Sequence, residues 1–166
     1  MIMYDKILVA YDGAHHSRRA LEIGVEFAKQ YNAKLFILTV IPEVIFPVFP
    51  EEGMGVGYPS VPVKGERRDI TDYSDKAEET YGKILNLVFE GIVEEHPDID
   101  VEPKLAEGKP SSVIVKMAEA EDIDLIIMGC RGLGPVRCFF LGSTTREVAE
   151  TCNRPIMIVK AELEKS

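Results

Sequence analysis

The stretch LIIMGCRGLGPVRCFFLGSTTRE, residues 125–147, decides how the rest of the chain reads. Leu125-Ile126-Ile127-Met128 is an uninterrupted apolar run, the pattern of a strand buried on both faces. It leaves through glycine into a basic loop, and Ser143-Thr144 then opens a segment with helical spacing. Outward from this strand, loop and helix, the same alternation recurs. Lys6 to Tyr11 is a β-rich run ended by Asp12-Gly13. Ala20, Leu21, Gly24, Phe27, Ala28 and Tyr31 share one helical face, with Asn32 placed to close that helix. Leu35 to Val40 is a second buried strand. Ala77, Tyr81, Ile84, Leu85, Val88 and Ile92 mark a long amphipathic helix that stops before Pro97. Val101 to Ala106 is a weaker strand, and Pro110 suits the first turn of a helix carrying Val113, Ile114, Met117 and Ala118. Residues 144–152 form a helix, and Ile156 to Lys160 a last strand.

Continuous apolar strands alternating with amphipathic helices specify a parallel sheet covered on both faces. Right-handed crossovers restrict this α/β chain to doubly wound, five-stranded topologies. The whole of residues 1–166 then forms a single domain. In such sheets ligands bind beyond the carboxyl ends of the strands, where the strand order reverses. Asp12-Gly13 and Gly129 both follow strand ends, and they become neighbours if the first and fourth strands are adjacent. One segment interrupts the pattern: an insertion over 42–68, whose residues 42–65 hold five of the ten prolines and four glycines. That density excludes a regular element. Ile45, Phe46, Val48 and Phe49 are costly to leave in water, so a mobile excursion competes with a lid or a protein-partner arm.

The 166 residues carry a formal net charge of −9, which argues against a nucleic-acid surface. An anionic ligand must be held by local dipoles and a few nearby cations. Cys130, Cys138 and Cys152 form no CxxC and have no paired histidine, so reduced thiols are expected rather than disulfides or a zinc site. Met1 to Lys6 runs straight into a strand, and no apolar run nears the roughly 20 residues of a membrane span. These features point to the cytoplasm.

Gly129, Gly132 and Gly142-Ser143 fit the pattern GxxG, nine residues, G[ST]. Glycines let backbone N–H groups approach phosphate oxygens, and a helix N-terminus favours an anion. The hydroxyls of Ser143 and Thr144 add donors. Thr144 also has an explanation without a ligand, because Thr144-Thr145-Arg146-Glu147 spells a T-x-x-E capping box.

With ILVAYDGAHHSRRAL, LTVI, DLIIMGCRGLG and LGSTTREVAE…RPIMIVK, the sequence resembles the universal stress protein family (UspA-like), and its glycine pattern resembles the ATP-binding subgroup. The resemblance implies a Rossmann-like fold of the adenine nucleotide alpha hydrolase-like type. It also implies ATP or another adenine nucleotide, with Mg or Mn, as ligand. Ala10, Asp12, Val40 and Met128 would line base and ribose. Gly129, Arg131, Gly132, Gly142, Ser143 and Thr144 would hold ribose and phosphates. A homodimer through Ile156–Lys160 is implied as well. Ala14 departs from the serine of many members, and the insertion is longer and more apolar than expected.

Asp12 has two readings: a turn residue, or a ligand group acting near the sugar or through nucleotide-bound metal. His15 and His16 read as a solvated helix start, and His96 as a helix-end residue. Arg131 and Arg137 are candidate phosphate countercharges. Cys130 and Cys138 read as small loop and core residues. No side-chain metal site and no catalytic set stand out. The pattern GxxxxGK[ST] is absent, and no lysine stands beside Ser143, so any ATPase activity would be slow. The expectation is a nucleotide-binding regulatory protein of the stress response. The competing reading is a dimeric interaction module that works through residues 42–65.

Overall fold

The computed structural model describes residues 3–43, 67–130 and 141–160, with 67–73 as helical backbone only. The predicted insertion, apart from its two ends, lies outside the described residues, as do Arg131, Gly132, Arg137 and Cys138. The elements run β1 (Lys6–Ala10), α1 (His15–Tyr31), β2 (Lys34–Pro42), α2 (Arg67–Glu95), β3 (Val101–Gly108), α3 (Pro110–Ala120), β4 (Leu125–Gly129), α4 (Ser143–Thr151) and β5 (Ile156–Val159). The strands form one sheet in the order β3-β2-β1-β4-β5, with every pairing parallel.

Strand alternation divides the core into two layers. Ile7, Val9, Leu35, Ile37, Leu125 and Ile127 face Ala20 and Leu21 of α1 and Leu85 of α2. Leu8, Phe36, Leu38, Ile126 and Met128 face Ile114 and Ala118 of α3 and Val148 of α4. The inner stretches Ile7–Ala10, Leu35–Leu38 and Leu125–Met128 are therefore apolar throughout, because both faces are covered. β3 is only half-buried and tolerates Pro103, as expected of an edge strand.

Local chemistry sets the helix limits. Asn32 caps α1 in the left-handed region at φ 53°, its N–H donating to the carbonyls of Ala28 and Lys29. α1 lies close on the sheet: a Cβ at Gly24 would sit 2.5 Å from Val9 Cγ2. The predicted stripe of α2 holds at Leu85, Val88 and Ile92. It fails at Ile84, which is exposed together with Leu87. Ile84 and Leu85 are 100° apart on the helix, and the helix rolls to bury Leu85.

Candidate functional site

The chain runs from β1 outward through β2 and β3, then returns to place β4 on the other side of β1. Strand order reverses between β1 and β4, where Ala10 pairs with Met128. Their adjacency brings Asp12-Gly13 and Gly129 together as expected. A cavity of about 160 Å³ opens at this reversal. Ala10, Met128, Leu38 and Val40 supply strand-end walls; Pro110 and Ile114 come from α3, Thr144 and Thr145 from α4. Asp12 and Ser17 complete it beside the first turn of α1.

The start of α4 is fixed against the end of β4. Thr145 Oγ1 donates to the Gly129 carbonyl at 2.9 Å, and Gly142 N donates to the Cys130 carbonyl at 2.8 Å. The Gly142 amide is thus already engaged, so the amides that α4 presents begin with Ser143. Gly142, with φ −60° and ψ 157°, makes no side-chain cap. The capping box expected from Thr144 and Glu147 does not form. Glu147 Oε2 instead accepts from Ser111 Oγ at 2.6 Å and pairs with Lys109 Nζ at 2.7 Å. Those partners come from α3 and its N-cap, and local spacing cannot reveal them.

The same electrostatic arrangement recurs around the cavity. α1, α3 and α4 all begin here, none with a side-chain cap at its N-cap residue and none with an acidic residue in its first turn. Each such end acts as about half a positive charge. The dipoles converge on one opening in a protein whose net charge is −9.

Asp12 fulfils the turn reading. Its Oδ1 accepts from Ala14 N at 2.8 Å, while Gly13 takes φ 81°, which needs glycine. The Asp12 carboxylate is nonetheless exposed beside the cavity. Gly129 lines the cavity and also has a packing role: a Cβ there would lie 2.7 Å from His16 Cβ and 2.9 Å from the His16 backbone carbon. His16 is therefore buried rather than solvated, with Nδ1 3.7 Å from Cys130 Sγ. His15 is exposed as expected. Cys130 is buried and Cys152 is a free thiol; Cys138 lies outside the described residues.

The predicted residues Ala10, Asp12, Val40, Met128, Gly129 and Thr144 all line the cavity. Gly142 and Ser143 form the beginning of α4 beside it. Sequence reasoning missed Tyr11, Ser17, Leu38, Pro110, Ile114 and Thr145. Pro110, at the start of a helix following a strand, was the clearest available signal among them. Ser17 is buried and fixed locally: its Oγ donates to the Ala14 carbonyl and accepts from Asp12 N.

A family model described as the universal stress protein family matches residues 3–160. The chain belongs to this family. It is 30% identical over 158 residues to the universal stress protein YxiE of Bacillus subtilis, covering 95% of this chain and 100% of that one. Among solved structures, it is similar to a universal stress protein in complex with cAMP, at TM-score 0.64 and 22% identity, covering 97% of this chain and 100% of that one. It is also similar to the Archaeoglobus fulgidus universal stress protein in complex with dAMP, at TM-score 0.58 and 20% identity, covering 96% and 100%. At these identities the two structures establish the shared fold. Among the described residues of this universal stress protein, no helix is long and apolar enough to cross a membrane.

Proposed function

We propose that this universal stress protein binds an adenine nucleotide, ATP foremost, at the cavity between β1 and β4. The observation that carries the reading is the convergence of three uncapped helix N-termini, free of first-turn acids, on an apolar cavity at the strand-order reversal. An apolar slot beside a cluster of positive dipole ends suits a ligand with a flat apolar part and an anionic part. The cavity is smaller than the roughly 300 Å³ at which sites for drug-sized ligands begin. It therefore takes the base, leaving the phosphates at its mouth.

In this assignment Val40, Leu38, Ile114 and Met128 surround the base. Asp12 belongs near the ribose hydroxyls, since its carboxylate repels a phosphate unless a nucleotide-bound Mg or Mn intervenes. Gly142-Ser143-Thr144 faces the phosphates, with Gly129, Arg131 and Gly132 completing the cradle. The complexes of relatives with cAMP and dAMP support adenine as the base. The protein acts as a nucleotide-dependent regulator in the cytoplasm, with at most slow hydrolysis, because the sequence supplies no lysine beside Ser143. It functions as a homodimer through Ile156–Lys160, which covers the β5 edge, and residues 42–65 receive a protein partner.

Calorimetric titration of nucleotide-stripped protein tests this reading. Saturable ATP binding below millimolar concentration is expected. No saturable binding at millimolar ATP overturns it.

A further inference from the structure

The sequence has no lysine beside Ser143, but the fold brings Lys109 from the start of α3 against α4. Lys109 is the N-cap residue of α3 and immediately precedes Pro110, a wall of the cavity. Its Nζ lies 2.7 Å from Glu147 Oε2. Glu147 stands about one turn into α4 from Ser143, on the helix whose Thr144 and Thr145 line the same cavity. The ammonium is thus held at the rim where two of the converging helices begin.

We propose that Lys109 is the cation that discriminates phosphorylated nucleotides from nucleosides, with Glu147 as its resting partner. The proposal rests on the nucleotide reading of the cavity and names the side chain that recognises the phosphates. Binding exchanges one ion pair for another: Lys109 leaves Glu147 and meets the outer phosphate oxygens. The exchange is accessible because the pair lies in water, with side-chain exposures of 63% for Lys109 and 37% for Glu147. Exposed pairs of this kind are weakly held. A polyphosphate offers more charge and more acceptor oxygens than one carboxylate. Lysine delivers a point charge on a flexible tether, which suits this movement.

Glu147 is built to release its partner without being left bare. Ser111 is buried, and its Oγ donates to the same Oε2 at 2.6 Å. Lys109, followed by Ser111, holds the Glu147 carboxyl below its ordinary range. The carboxylate therefore stays charged at neutral pH and keeps the lysine at the rim until an anion arrives. Lys104, another cation near α3, is engaged with Glu102 and Glu121.

The test compares ATP and adenosine affinities by calorimetry for wild type, Lys109→Ala, Lys109→Arg, Glu147→Gln and Arg146→Ala. Arg146→Ala removes an equal charge from the adjacent position on α4. Lys109→Ala is expected to weaken ATP about tenfold while adenosine stays within about twofold. Lys109→Arg restores most of the ATP affinity. Glu147→Gln removes the competing carboxylate, tightening ATP about two- to threefold. A purely structural Lys109 would lower the melting temperature and weaken both ligands equally, which overturns the proposal. So does an ATP affinity unchanged in Lys109→Ala, or an equal loss in Arg146→Ala, which assigns the effect to general charge. In those cases wild type still binds ATP, and the nucleotide reading stands. Wild type that binds neither ATP nor adenosine overturns both.

Discussion

Gly129 belongs to the glycine pattern that suggested a phosphate cradle, yet its surroundings make it a packing residue first. The backbone there is not in the left-handed region, which among the described glycines holds only Gly13 and Gly108. Alanine at 129 is therefore opposed by space alone. Its Cβ would lie 2.7 Å from His16 Cβ, 2.9 Å from the His16 backbone carbon and 3.1 Å from Ser17 N. Two of these atoms are helix backbone, so no side-chain rotation relieves the contact, and the start of α1 must move away from β4. Overpacking of this kind costs about 1–3 kcal/mol. The ~0.4–1 kcal/mol gained when alanine restricts the unfolded chain offsets part of this, so a mid-range clash leaves a net loss of about 1–2 kcal/mol. At about 2–4 °C per kcal/mol for a chain of this length, Gly129→Ala should melt roughly 2–8 °C below wild type. The assay is thermal and urea denaturation of nucleotide-stripped protein, so that no ligand contribution enters. A stripped variant as stable as wild type, with ATP binding alone lost, would refute the packing argument and return Gly129 to a purely ligand-facing role.

Gly142→Asp should separate stability from binding in the opposite sense. The backbone angles of Gly142 suit an N-cap aspartate, so the stripped variant should melt at or slightly above wild type. Its new carboxylate faces the phosphates and should reduce ATP affinity at least about tenfold. A pH series addresses the cluster on β2 and β3, where Glu102 lies 2.6 Å from Lys104 and 2.7 Å from Lys34. Lys104 and then Lys34 lower the Glu102 pKa to about 2. Because this carboxyl is depressed on folding, its stabilisation is present above its unfolded value of about 4.3 and is lost as pH falls toward 2. Urea midpoints of wild type and Glu102→Gln should therefore converge over that interval; a constant difference would contradict the assignment.

Much of the fold was readable because its signals are local. Leu125–Met128 and Leu35–Leu38 are apolar without interruption, as a strand covered on both faces requires. Asn32 and Pro110 mark helix ends through their own backbone preferences. Ala10, Val40 and Met128 were singled out by the resemblance to the family, and all three line the cavity at the strand ends. The misreadings concern residues whose partners are distant in sequence. Glu147 has capping-box spacing, but its partners are Lys109 and Ser111. His16 looked solvated until β4 was placed against it. Ser17 and Thr145 carry no signal in the sequence, and their roles arise from hydrogen bonds to the Asp12 turn and to the end of β4. Ile84 shows that an apolar residue in a helical stripe still depends on how the helix rolls.

Under the proposed function, the cavity between β1 and β4, with the start of α4, receives an adenine nucleotide. Titration of isotope-labelled, nucleotide-stripped protein with ATP, followed by NMR, tests it most directly. Saturable shifts of the Ser143 and Thr144 amides and of the Val40, Ile114 and Met128 methyls are expected, with adenosine moving the methyls but much less the amides. Shifts confined to other surfaces, such as the groove between α1 and α2 lined by Phe27, Val88 and Ile92, or no shifts at millimolar ATP, would contradict it.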